Sequence, residues 1–304
     1  MWLCSKAVVA CIMLGFGGIT SGYLIDPVSC AGDYQFVKDM VEQAFSMANI
    51  DLASVNTVPI DPDASWLLQE LFNLQGNAAK TLIETAFAPS TPNNKGERTG
   101  ILSFQDEITG DIESLGINEV VVFCDQSRLK TRIKDPFHLY DSKAKRAVSI
   151  TNPCLGAFMY TQTFDLHWDT IQICPWFLEY AKAKKYKTSK DISSWRAKLA
   201  VKGHDELITK KFYTPIDLMN LWDKCMLHEM MHTKAGLSKQ DVGGFTGYGW
   251  KNCKSLSTDG QGLMNADSYA IFGSALYWAK AGSPNDENGN FISAPLATRG
   301  NSRR

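Results

Sequence analysis

The chain has no histidine after His232, no Asn-x-Ser/Thr triplet, no long apolar run beyond the one at its N-terminus, and no excess of charge of either sign. Each absence excludes something. A metal site built on the last histidines has to be completed by something other than a downstream imidazole. Without an acceptor triplet no N-linked glycan is expected. One short apolar run leaves no membrane span in the rest of the chain. With 31 Lys and Arg against 32 Asp and Glu, a net charge of -1, there is no basic footprint for nucleic acid. No internal repeat is visible, which argues against a solenoid. What is present is 44% hydrophobic residues in 304, enough to bury a large core.

The N-terminal run reads as a secretory signal over residues 1–22: Lys6 at the positive start, Ala7 to Ile19 as the apolar centre, and Thr20-Ser21-Gly22 as a small-residue cleavage site. Of eight cysteines, Cys4 and Cys11 leave with it, and the remaining six are an even number suited to an oxidising, extracellular compartment. Residues 23–282 are expected to form a single domain and 283–304, rich in Gly, Asn and Ser, a mobile tail. Apolar spacing predicts amphipathic helices from Asp33 to Ala48 and from Ala64 to Ala88. Short β-prone runs follow at Gly100 to Phe104, Glu119 to Cys124, Ala147 to Ile150 and Thr170 to Cys174. After them Pro175 to Tyr186 looks helical, and the lysine-rich run from Lys182 to Lys190 reads as a solvated surface. His138, His167 and His204 stand alone, without ligand spacing, as structural or surface residues.

The informative stretch is Cys225-Met-Leu-His228-Glu229-Met-Met-His232. Four residues of helix turn through about 400°, so His228 and His232 project from one face, one turn apart, able to share a metal ion. Glu229, on the flank, can serve as a base without being a ligand. A helix is well signalled here. Thr214 can cap it, Pro215 suits its first position, Asp217 puts negative charge in the first turn and Gly236 offers a stop. Its apolar residues cover most of the circumference, so it is expected to be buried. Downstream, a third ligand would be an anionic oxygen, the alternative being the Cys225 thiolate as a soft ligand. The metzincin pattern is excluded because Ala235 and Ser238 stand where it needs Gly and His. A thermolysin-type glutamate is also missing, Glu287 in the polar tail being the only glutamate after Glu229. That leaves Asp241, Asp259, Asp267 and Asp286, of which Asp241 comes first, in a glycine-bearing loop.

From about Ile171 to Lys280 these residues resemble the aspzincins, secreted zinc endopeptidases of the deuterolysin type that are common in fungi. The resemblance implies an aspartate ligand nine residues after the second histidine, here Asp241, and a Tyr-Gly pair whose tyrosine stabilises the transition state, here Tyr248-Gly249. In the family the tyrosine follows the aspartate by three positions, whereas here it follows by seven. Asn265-Ala266-Asp267-Ser268-Tyr269-Ala270 is similar to a stretch in fungal members.

The fold expected is α+β, a predominantly helical zincin-like domain with a small sheet beside the metal helix. One Zn2+ per chain is expected on His228, His232 and Asp241, with Glu229 moving the proton from the attacking water to the leaving amine and Tyr248 supporting the oxyanion. Asp267, at the start of a helical run from Ser268 to Lys280, is expected as helix cap or as orienting partner of a ligand imidazole, not as a ligand. The implied partner is a protein or peptide substrate, the chain itself being a monomer with no nucleic acid and no membrane. Six cysteines permit fifteen pairings. Cys225–Cys253 is expected because that bond would enclose both histidines, Asp241 and Tyr248 in one covalent loop, with Cys154–Cys174 and Cys30–Cys124 as the others. The alternative function is a zinc-binding or surface-interaction protein on the same fold without proteolysis. Retention of Glu229 and a tail lacking Cys and His favour the enzyme.

Overall fold

The computed structural model describes residues 21–132, 135–149, 153–183, 214–218 and 222–292. Most of the expected leader, the lysine-rich run after Ala183, His204 and the last twelve residues of the tail, 293–304, lie outside these.

The chain is a mixed α+β fold. A five-stranded sheet contains β1 (Gly22–Ile25), β2 (Asp106–Glu107), β3 (Val120–Phe123), β7 (Met159–Gln162) and β8 (Asp169–Ile173), in the order β2-β1-β3-β8-β7. The first four in that order run parallel, and β7 closes the edge antiparallel to β8. Alternation sorts the strand residues. Tyr23, Ile25, Val120, Val122, Ile171 and Ile173 face the main helical core. Leu24, Val121 and Phe123 face a smaller cluster with Ile112 and Trp168. With both faces covered, β3 can read as the continuous apolar run Val-Val-Val-Phe. A separate three-stranded antiparallel sheet, β4 (Leu129–Arg132), β5 (Asp135–Asp141) and β6 (Arg146–Ser149), is tied back by buried Arg128, whose Nε donates to Asp141 at 2.7 Å.

The helices are α1 (Tyr34–Val55), α2 (Pro62–Phe72), α3 (Gly76–Phe87), α4 (Pro175–Lys182), α5 (Pro215–Leu218), α6 (Trp222–His232), α7 (Trp250–Ser257) and α8 (Ala266–Lys280). The single helix expected to Ala88 is two, because Asn73 takes a left-handed φ of 53° and ends α2, and Gly76 (φ 56°) opens α3. Gly100 to Phe104, expected as a strand, is instead a 3-10 turn at Ile101–Phe104 with all four side chains buried.

α6 packs against α1, α8 and β7, and every residue from Trp222 to Met231 is buried. Gly273 permits the close approach of α8: a Cβ there would lie 2.7 Å from Leu227 Cδ2 and 2.9 Å from Asp51 Oδ2. Asp51 is fully buried with neither oxygen hydrogen-bonded, and burial raises its pKa well above its ordinary value.

Three expectations are corrected here. Ser21 and Gly22, assigned to the leader, belong to the fold: Ser21 is buried and donates to the Ser103 carbonyl at 2.8 Å, and Gly22 opens β1. The tail as far as Ile292 is packed, with Phe291 against Trp278 (5.7 Å) and the Gly289 carbonyl accepting from Ile216 N at 3.1 Å. A composition rich in Gly, Asn and Ser does not mean disorder when one aromatic finds the core and Asp286 caps its own turn through Asn288 N and Asn290 N. The third correction is to the cysteines. Cys30–Cys124 and Cys154–Cys174 are bridged as expected, but Cys225 and Cys253 are separate buried thiols. The Cys253 sulfur is turned to the Gly247 carbonyl at 3.4 Å and accepts from Asn265 Nδ2 at 3.5 Å.

Among the described residues no helix is long and apolar enough to cross a membrane.

Candidate metal centre

α5 starts as its sequence says. Asp217 Oδ2 accepts from both the backbone N and the hydroxyl of Thr214 at 2.7 Å, which fastens the first turn. α6 ends at His232 because the chain then turns sharply at Gly236, where a Cβ would sit 2.2 Å from the Met230 carbonyl oxygen. The turn is fastened to the sheet by Lys234, whose N and Nζ both reach Asp169 on β8 at 2.7 Å.

His228 and His232 lie on one face of α6, as the spacing requires, with Nε2 atoms 3.1 Å apart. Asp241 Oδ1 stands 3.1 Å from His228 Nε2 and 3.3 Å from His232 Nε2. A tetrahedral ion with ligand atoms at about 2.0–2.1 Å holds those atoms about 3.3–3.4 Å apart. The triangle therefore fits one small cation. The tautomers agree. His232 Nδ1 donates to the Lys239 carbonyl at 2.6 Å, and His228 Nδ1 faces Asp267 Oδ1 at 3.3 Å, so each Nε2 is left to face Asp241, as a lone pair when the ring is neutral and as an N–H donor when it is charged. Two lone pairs and a carboxylate oxygen converging this closely repel one another unless a proton or a cation lies between them. Burial opposes charge on His228, but Asp241 and Asp267 outweigh it and hold its pKa up at about 10. Asp241 is held far below the carboxylate range: burial works against its ionisation, and the hydrogen bonds from the two imidazoles prevail.

The remaining candidates take distinct places. Glu229 also comes within 4.8 Å of the two imidazoles. Its Oε2, however, accepts from Thr161 Oγ1 on β7 at 2.9 Å, and the same hydroxyl is 2.9 Å from the Glu229 carbonyl. The base candidate is thus pinned between the metal helix and the sheet edge. Tyr248 reaches the site in spite of its displaced spacing. The four extra residues are spent on a 3-10 turn, Gly244–Gly247, which returns the ring to 5.4 Å from that of His228. Burial, then the Asp241 carboxylate to which it hydrogen-bonds, raise the Tyr248 pKa, so it remains a neutral donor. Asp259 hydrogen-bonds Gln261 on the surface and Asp286 its own turn, away from the histidines.

Asp267 does not cap its helix: the N-cap position belongs to Asn265. Its Oδ1 accepts from Lys224 Nζ at 2.6 Å and faces His228, while Oδ2 accepts from Gly249 N at 2.8 Å. The work expected of a Cys225–Cys253 clamp is done without a covalent bond by Asn265, whose amide donates to the Gly247 carbonyl at 2.9 Å and whose oxygen accepts from Val242 N at 3.2 Å. Gly247 has no room for a side chain, a Cβ there meeting the Val242 oxygen at 2.0 Å. Burial pushes the Cys225 thiol up to about 12 and Cys253 well above its ordinary value, which disfavours a free thiolate at either position.

No family model, curated protein or solved structure matches this chain.

Sequence reasoning did not find Thr161, Lys224, Lys239 or Asn265. Thr161 had no local signal, but Asn265 and Asp267 share the stretch Asn265 to Ala270 noted above. Asp267→Asn is expected to lower metal affinity by about 10–100-fold, the usual effect of losing the carboxylate that orients a ligand imidazole. Competition against a chromogenic chelator measures it, and an unchanged affinity rejects that role for Asp267.

Proposed function

We propose that this chain is a secreted zinc-dependent endopeptidase of the aspzincin kind, with His228, His232 and Asp241 as ligands, Glu229 as general base and Tyr248 as oxyanion donor. The observation that carries the reading is the triangle of two Nε2 atoms and one carboxylate oxygen, with sides of 3.1 to 3.3 Å, beside a carboxylate that is not part of it. Two neutral imidazoles and one carboxylate leave a divalent ion with a net positive charge, the ligand class of catalytic rather than structural zinc. When bound, such an ion lowers the pKa of a water to about 7 and polarises a carbonyl.

The chain's own residues supply the rest. Glu229, held by Thr161, is placed to take a proton from the attacking water and pass it to the leaving amine. Tyr248 keeps its proton and can donate to the oxygen that gains charge. β7 pairs with β8 alone among the described residues, so its outer edge offers backbone groups to an extended peptide as an added strand. Thr161, on that strand, brings such a peptide next to Glu229.

Secretion is supported by the N-terminal leader pattern and the two disulfides. The test is casein digestion by purified protein with and without a chelator, together with elemental analysis. About one zinc per chain and digestion abolished by the chelator and restored by zinc are expected. Bound zinc without digestion of casein or any other protein offered would instead establish the non-proteolytic binding protein.

A further inference from the structure

Half of the exposed large hydrophobic side chains described, four of eight, gather at one place: Leu155, Phe158, Trp176 and Tyr180, exposed by 89, 42, 44 and 53%. Trp176 and Tyr180 are one turn apart on α4, Phe158 meets the Trp176 ring at 5.5 Å, and Leu155 follows Cys154, whose carbonyl accepts from Trp176 Nε1 at 2.9 Å. The indole therefore spends its only donor internally and turns an apolar face to solvent. Scattered exposed apolar residues need no explanation, but a contiguous aromatic ledge does.

The ledge is rigid and joined to the site. The Cys154–Cys174 disulfide staples its two segments together. Phe158 stacks on Phe177 at 4.5 Å, and Phe177 stacks on Trp222 at 4.1 Å, the first residue of the metal helix. Phe158 also directly precedes β7, three residues before Thr161. At 3.3 Å per residue that is about 10 Å from the residue holding Glu229.

We propose that this ledge is a specificity subsite of the peptidase, taking an apolar side chain of the substrate about three residues after the bond that is cut. The inference rests on the endopeptidase reading for its position relative to cleavage. Geometry fixes the side. An added strand antiparallel to β7, the stronger pairing, runs from Gln162 toward Met159, so it is the residues after the cut that pass over Phe158. Among the described residues the charges beside the ledge, Glu179 and Lys182, are paired with each other at 2.6 Å, so its large apolar surface favours Leu, Phe or Trp over an acidic residue.

The test uses the full mature chain. Cut sites are mapped in casein, and paired peptides are made with Leu or Asp at the third position after the cut. Wild type is expected to prefer Leu in kcat/KM on the order of tenfold, what partly burying one large apolar side chain is worth. Leu155→Ser and, separately, Trp176→Ser are expected to reduce that ratio to about twofold. Leu155 is so exposed that its replacement does not threaten folding. A ratio near one in wild type, or an unchanged ratio in both variants, overturns the subsite. If wild type cuts nothing, the peptidase reading has failed, and the ledge is tested alone by fluorescence anisotropy on Glu229→Gln protein. A labelled decapeptide ending in Leu-Trp-Leu must bind more tightly than its Asp-Asp-Asp counterpart and lose that advantage with Leu155→Ser. Equal binding of the two peptides rejects the ledge as a binding surface.

Discussion

Asp241→Ala is expected to abolish zinc retention through dialysis and, with it, activity. Its carboxylate closes the triangle, approaching both Nε2 atoms within 3.3 Å. Losing a direct ligand should cost more than the roughly 10–100-fold that an orienting partner commands. The fold should survive. The Asp241 side chain is 39% exposed, and the loop that carries it is held by Asn265. Thermal melting separates the two effects. At zinc concentrations about 100 times the dissociation constant, wild type gains about 2.7 kcal/mol from mass action. The variant should gain little, while the two zinc-free proteins melt at similar temperatures. Equal zinc content in the variant would transfer the third position to Glu229, the other carboxylate within 4.8 Å of the imidazoles.

Some of this was written locally and some was not. His228, Glu229 and His232 are legible because helical spacing is a local rule, whereas the residues alone left four aspartates open and only the resemblance singled out Asp241. Tyr248 looks displaced only when positions are counted; the 3-10 turn at Gly244–Gly247 absorbs the difference. The partners that lock these groups come from far along the chain. Thr161 lies 68 residues from Glu229, Lys224 lies 43 from Asp267, and Gly247 lies 18 from Asn265. No periodicity connects such pairs, since tertiary packing alone brings them together. β1 was hidden for another reason: Gly22, the first residue of a buried parallel strand, also satisfies the small-residue rule of a cleavage site. The expected Cys225–Cys253 bridge is not formed, and the loop is held without a covalent bond. One asparagine, with a donor and an acceptor on the same side chain, was sufficient.

Glu229→Gln is expected to keep zinc and lose proteolysis by at least about a hundredfold, or about 2.7 kcal/mol of transition-state stabilisation. The substitution is nearly isosteric. The retained side-chain oxygen can still accept from Thr161, so neither α6 nor β7 should move. Zinc should remain because the three atoms of the triangle belong to His228, His232 and Asp241. What disappears is basicity, since an amide cannot take a proton from water at neutral pH. The loss should fall on kcat with KM little changed, because the substrate is gripped by the strand edge and the ledge, which the substitution leaves alone. Thr161→Val separates holding from catalysis. It removes the hydroxyl that fixes Glu229 but not the carboxylate, so a smaller loss of activity than in Glu229→Gln is expected. Full activity in Glu229→Gln would eliminate this residue as base. An equal loss of zinc and activity would mean that Glu229 is a ligand and that Asp241 has another role.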